Sequence, residues 1–257
     1  MLSLRTPIGL GAALSASLAA SLLSGSPVQA TPFTGNAPPA VDCVGQTGAT
    51  IFSQGFACII GDKVYSSFLN ISGSPALDTA FFSFTNNAPN FSISIIPVPG
   101  TNFLPGLYEF GYSMTVFDAV ASGQRIKSIS TGATSSAQPT PPNPAYTQTL
   151  QATPTLVIAG EGDLGGVILA TETRTNGNSP VNSGAINFTT PVVSADFIST
   201  LAVGNQAGNF VSNFNNSVIQ LNAPPRGETV PGPLPILGAA AAFGMSRKLR
   251  RRIRQIA

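Results

Sequence analysis

The chain reads as an all-β protein, an antiparallel β-sandwich of jelly-roll-like or Ig-like kind, flanked by an N-terminal signal helix and a C-terminal transmembrane or sorting helix. Three observations predict this. Apolar and polar residues alternate through about ten short windows, the period of half-buried strands. Turn formers punctuate those windows, with 26 Gly and 22 Pro in 257 residues. Each end carries an apolar segment beside basic residues. The organisation follows as 1–30 signal peptide, 31–225 β-sandwich domain and 226–257 tail.

The N-terminal element has Arg5 as a small positive region, an apolar stretch over 8–23, and Val28-Gln29-Ala30, a small-x-small pattern. That order predicts a secretory signal peptide cleaved after Ala30, the alternative being an uncleaved membrane helix. Cys43 and Cys58 are the only cysteines. In an exported chain they predict a disulfide rather than two free thiols, closing a loop worth roughly 3 kcal/mol of chain entropy. Two thiols without any histidine also fall short of a zinc site.

Within the body, a turn at Gly61-Asp62 feeds a strand over 64–71, and 81–84 and 91–95 follow as strands. The strongest signal is 108–116. Tyr108, Phe110, Tyr112, Met114 and Val116 share one face, and Glu109, Gly111, Ser113 and Thr115 the other. Later strands are expected at 126–130, 155–158, 166–174, 184–189, 197–203 and 217–221, with a short helix over 196–202 entered through Ser194 as a competing reading. The Pro-, Thr- and Gln-rich residues 135–154 read as an exposed loop between two halves of the sandwich.

Charge excludes some functions. Residues 31–225 hold four cations (Lys63, Arg125, Lys127, Arg174) against nine acids, a net charge of −5, so the body has no nucleic-acid footprint. No histidine is present, which excludes a His-containing triad. The nine acids show no spacing that singles out a pair for glycoside cleavage, and the glycine-rich stretch 160–166 does not match a 12-residue calcium loop. We therefore expect no catalytic residues, no metal and no cofactor. Of the four tyrosines, Tyr108 and Tyr112 read as core, and Tyr146, in the Pro-rich stretch, as the exposed one. Four sequons, at Asn70, Asn90, Asn187 and Asn215, read as incidental in a chain this rich in Asn, Ser and Thr.

The tail has three parts. Val230, Pro231, Gly232 and Pro233, with Pro235 close behind, stop any helix from upstream. Ile236, Leu237, Gly238, Ala239, Ala240, Ala241, Ala242, Phe243, Gly244 and Met245 then favour a helix. Arg247, Lys248, Arg250, Arg251, Arg252 and Arg254 form a basic stop suited to the cytoplasmic side and to anionic headgroups. At ~1.5 Å per residue, residues 234–249 give roughly 24 Å against roughly 30 Å of hydrocarbon, so spanning and interfacial placements both remain open.

This order resembles a PEP-CTERM sorting signal, the bacterial tail recognised by exosortases. The family pattern is a Pro-x-Pro signature, an apolar helix and an Arg-rich end. Gly232 stands where the family usually has Glu, a form that, with Phe243-Gly244 ahead of Ser246-Arg247-Lys248, resembles cyanobacterial members. The segment from Cys58 through Gly61-Asp62-Lys63 to Tyr65-Ser66 is also similar to one near the N-terminus of many such proteins. The resemblance implies an exported protein held at the membrane by its C-terminal helix, then processed by an exosortase-type enzyme toward the cell envelope or the extracellular space. Its expected role is structural or adhesive in exopolysaccharide or biofilm. The alternatives are a saccharide-binding module and a carboxylate-dependent hydrolase. Expected partners are the processing enzyme, the membrane and polysaccharide, with no nucleic acid.

Overall fold

A computed structural model describes residues 41–134, 145–158, 160, 162–175, 178–205 and 208–222. The signal peptide with Ala30 and the whole tail, from Val230 to Arg254, lie outside the described residues. Among the described residues, no helix is long and apolar enough to cross a membrane.

Among the described residues, thirteen strands form two antiparallel sheets. They are β1 (Gln46–Thr47), β2 (Ala57–Ile60), β3 (Lys63–Asn70), β4 (Phe81–Asn87), β5 (Asn90–Ile96), β6 (Gly106–Val116), β7 (Gln124–Thr134), β8 (Tyr146–Leu156), β9 (Ile168–Arg174), β10 (Val181–Asn182), β11 (Ile186–Val192), β12 (Ser194–Val203) and β13 (Asn213–Asn222). The six-stranded sheet runs β1-β4-β5-β13-β7-β11 and the seven-stranded sheet β10-β9-β8-β12-β6-β3-β2. The helices among the described residues are three single turns in connections: α1 (Gly48–Ile51), α2 (Pro75–Thr79) and α3 (Ala119–Ser122).

The sheets pack through the inward-facing alternate residues of their strands, the layering of a β-sandwich. The β6 face expected from the sequence is inside: Tyr108, Phe110, Tyr112, Met114 and Val116 are all buried. Aromatic rings join the two sheets. Phe110 of β6 meets Phe82 of β4 edge-on at 5.4 Å, and Tyr65 of β3 meets Phe84 of β4 at 5.1 Å. Tyr112 stacks on Phe197 of the neighbouring β12 at 4.9 Å and 8°.

Two polar bridges cross this core. In the middle, Gln148 Nε2 of β8 donates to the Asn215 carbonyl of β13 at 2.8 Å, and Ser199 Oγ of β12 donates to Asn216 Oδ1 at 3.0 Å. At one end, Lys63 is fully buried. Its Nζ pairs with Asp62, donates to Gln220 Oε1 of β13 at 2.9 Å and lies 4.2 Å from the Phe91 ring centroid. Burial pulls the Lys63 pKa below its ordinary value, opposed by the hydrogen bond and charge of Asp62. The Gly61-Asp62-Lys63 turn thus ties one sheet to the other. Gly61 has φ +59°, and a Cβ there would meet Asn86 Nδ2 at 2.4 Å.

The structure corrects two readings. Residues 146–154 belong to strand β8 rather than to a loop, and residues 135–144 lie outside the described residues. The inward positions of β8 include the buried Gln148, which hid the apolar alternation. Pro154 is accommodated because the register shifts beside its partner Ala195. Residues 196–202 are extended, not helical. β12 pairs with both β6 and β8, and that two-sided ladder, with Ala195, Phe197, Ser199 and Leu201 pointing inward, overrides local preference. Gly160 and residues 162–166 lie in the connection between the paired strands β8 and β9.

Candidate functional site

The disulfide forms between Cys43 and Cys58, with Cα atoms 5.0 Å apart. It fastens residues 41–43 to edge strand β2, where Ile59 N donates to the Val41 carbonyl at 2.9 Å. Both sulfur residues are fully buried, so the bond is a staple rather than an accessible redox centre.

Tyr146 is not exposed. It is buried at the start of β8, and its hydroxyl donates to Glu172 Oε1 at 2.6 Å. Glu172 Oε1 also accepts from Ala133 N at 2.9 Å, while Asn182 Nδ2 donates to Glu172 Oε2 at 2.8 Å and to the Thr131 carbonyl. Beyond its pairing with β11, the backbone of β7 would lack partners on that side. Tyr146, Glu172 and Asn182 supply them. Burial and the adjoining Glu172 raise the Tyr146 pKa above its ordinary value.

The other acids divide between local structural roles and one sheet face. Asp62 pairs with Lys63, Asp78 accepts from Asn70 Nδ2 at 2.8 Å, and Asp42 Oδ1 accepts from Val44 N at 3.1 Å. Asp163 is exposed in the β8–β9 connection. Asp196 and Glu109 lie on the outer face of the seven-stranded sheet, and burial raises the pKa of each above the usual carboxylate range. The hydrogen bond from Ser113 partly offsets this at Asp196. Asp196 faces Ser113, and Glu109 faces Thr200, four residues further along. That is roughly 13 Å at ~3.3 Å per residue. A carboxylate pair acting across one glycosidic bond needs about 5 to 10 Å. Among the described residues no three His, Cys, Asp or Glu side chains gather as a metal would require.

Both outer faces carry ordered polar groups. On the six-stranded sheet, strand register builds three cross-strand rows. Ser83, Ser94, Asn215 and Gly132 form the first, and Thr85, Ser92, Ser217 and Ser130 the second. Asn87, Asn90, Ile219, Ser128 and Asn187 form the third. Thr85 Oγ1 and Ser92 Oγ are hydrogen-bonded at 2.6 Å. Rows are spaced by about 6.7 Å along the strands and neighbouring groups by about 4.8 Å across them. β4, β5 and β13 contain no charged residue at all, whereas about a quarter of residues in an average protein are charged.

Compared against models of known protein families and against curated protein sequences, the chain matches none.

The uncharged strands β4, β5 and β13 present a lattice of hydroxyl and carboxamide groups, each both donor and acceptor. Such a lattice suits a partner that is itself uncharged and rich in hydroxyls. The sequence reading missed it by weighing single residues. The available signal was the alternation Phe91-Ser92-Ile93-Ser94-Ile95, whose polar half is all serine, together with the absence of charge in three windows that become neighbours. Three of the sequon asparagines, Asn90, Asn187 and Asn215, fall in these rows, and Asn70 instead braces α2 through Ser74 and Asp78.

Proposed function

We propose that this is an exported protein of the cell envelope or extracellular matrix, sorted through its PEP-CTERM-like tail, whose body adheres to neutral exopolysaccharide and catalyses no reaction. The single observation that carries the adhesive part is the set of Ser/Thr/Asn rows across β4, β5 and β13, three neighbouring strands of the six-stranded sheet that hold no charged residue. A polysaccharide laid on that face exchanges water for hydroxyl partners at many weak points. Binding of this kind gains from length and repetition rather than from one deep pocket. The basic tail and the signal-like N-terminus support the route of export and the transient membrane stage.

Retention on insoluble neutral polysaccharide tests the adhesive part. The double substitution Ser94→Lys, Ser217→Lys places two charges at the centre of the face while their stems stay solvated. We expect at least a tenfold loss of retention with an unchanged melting temperature. Equal retention by the charged variant overturns the assignment of this face. The sorting part is tested by truncation after Arg226 and cell fractionation. The truncated chain leaves the membrane fraction, and unchanged fractionation overturns the anchor.

A further inference from the structure

The outer face of the opposite, seven-stranded sheet differs from the neutral lattice. Here register aligns Ser66 of β3, Ser113 of β6 and Asp196 of β12 in one row. Ser113 Oγ donates to Asp196 Oδ1 at 2.6 Å. Ser66 is 7 % exposed, and its Oγ has no hydrogen-bond partner. A hydroxyl that buried and unpartnered costs on the order of 1–3 kcal/mol, so it calls for an explanation. Being directly across from Ser113, it shares the face on which Ser113 meets Asp196.

The next row along the same strands is apolar. Leu69 of β3, Gly111 of β6 and Ile198 of β12 are aligned there. Ile71 leans over Gly111, since a Cβ built on Gly111 would lie 3.4 Å from Ile71 Cδ1. Leu69 and Ile71 remain substantially exposed, at 42 % and 37 %. A carboxylate and two serines thus stand about 6.7 Å, one inter-row step, from an aliphatic shelf. A few polar groups beside apolar ones are the mixture found in small-ligand subsites.

We propose that this row and shelf form a binding subsite for a single sugar ring, distinct from the polymer-facing lattice on the other sheet. The ionised Asp196 carboxylate is acceptor-only, so its free oxygen takes a hydroxyl hydrogen from the ring. Ser66 Oγ gains from an adjacent ring hydroxyl the partner it otherwise lacks. The aliphatic C–H face of the ring lies on Leu69, Ile71 and Ile198. The choice of a sugar rather than another polyol rests on the adhesive reading above; the subsite itself rests on the geometry of these residues.

The test is titration of the full chain in detergent with methyl glycosides of neutral hexoses, read by saturation-transfer and chemical-shift NMR. Millimolar binding with shifts at β3, β6 and β12 is expected. Asp196→Asn and Ser66→Ala each weaken it at least fivefold. Ser66→Ala removes an unpartnered hydroxyl, so it folds with unchanged or raised stability, and a loss of binding in it is not a loss of fold. Ser94→Lys, Ser217→Lys leaves glycoside binding intact while it abolishes retention on polysaccharide, and Ser66→Ala does the reverse. Shifts confined to the six-stranded sheet, wild-type affinity in both subsite variants, or no glycoside binding at all overturns the subsite and leaves the adhesive reading to its own assay.

Discussion

Reducing the Cys43–Cys58 bond isolates one stabilising contribution, because it breaks a cross-link without deleting an atom. The two cysteines are 15 residues apart. In the chain-entropy account, opening a loop of that size returns about 3 kcal/mol of freedom to the unfolded chain. For a body of this size each kcal/mol moves the melting temperature by about 2–4 °C, so a drop of about 6–12 °C is expected. The loop also encloses α1, whose Gly48 N donates to the Ala80 carbonyl at 2.8 Å, and it holds residues 41–43 on β2. The cost therefore falls on that corner of the sandwich, and hydrogen exchange there should rise before global melting. The assay is calorimetry of the protein with and without a phosphine reductant, with thiol titration of the unfolded protein to verify reduction. The double variant Cys43→Ala, Cys58→Ala should fall slightly further, since both side chains are fully buried and the smaller residue leaves space. Melting temperatures of reduced and oxidised protein within about 2 °C of each other would refute the loop-entropy reasoning.

Gly48→Ala should destabilise by more than the about 1–3 kcal/mol of ordinary overpacking, because the new Cβ would sit 1.8 Å from the Leu77 carbonyl oxygen, which is backbone and cannot rotate away; chemical denaturation measures it. On the alkaline side, burial holds Tyr65, Tyr112 and Tyr146 above the ordinary tyrosine pKa of 10.0, so their contribution is complete below that pH and is lost as the pH rises past it. Lys63, shifted downward, acts in the opposite sense below 10.5, so denaturation midpoints should hold or rise toward pH 10 and then fall. Asp196, shifted upward by burial, contributes stability that is complete below 3.8 and lost as the pH rises through its folded value. Asp196→Asn should accordingly melt higher than wild type at pH 7, with the difference shrinking on acidification, and a lower melting temperature at pH 7 would contradict the desolvation argument.

Much of the fold was legible because period-2 alternation survives wherever the inward positions are apolar. β6 shows this, with five large residues on one side and small or polar ones on the other. β8 was misread because Gln148 takes an inward position and Pro154 falls at a register shift, features visible only once Asn215 and Ala195 are in place across from them. Tyr146 looked exposed because its neighbours in sequence are prolines, but its surroundings are Glu172 and Ala133, which the sheets bring to it. The candidate surfaces were half legible. Each polar alternate residue can be read from its own strand, but which ones become neighbours depends on strand order. β13 lies between β5 and β7 although more than a hundred residues separate β5 from β13 in sequence. No local pattern encodes that.

The central position of β13 has a mechanical consequence. It is paired with β7 along its whole length and with β5 from Phe214 to Ile219. A pull on the polypeptide past Asn222 therefore strains two ladders in shear, many bonds at once, instead of peeling them open one at a time. Asn215 and Ser217 project from that same strand, so a pull applied past Asn222 meets them within one short, doubly braced segment, and the rest of the sandwich carries little of the force.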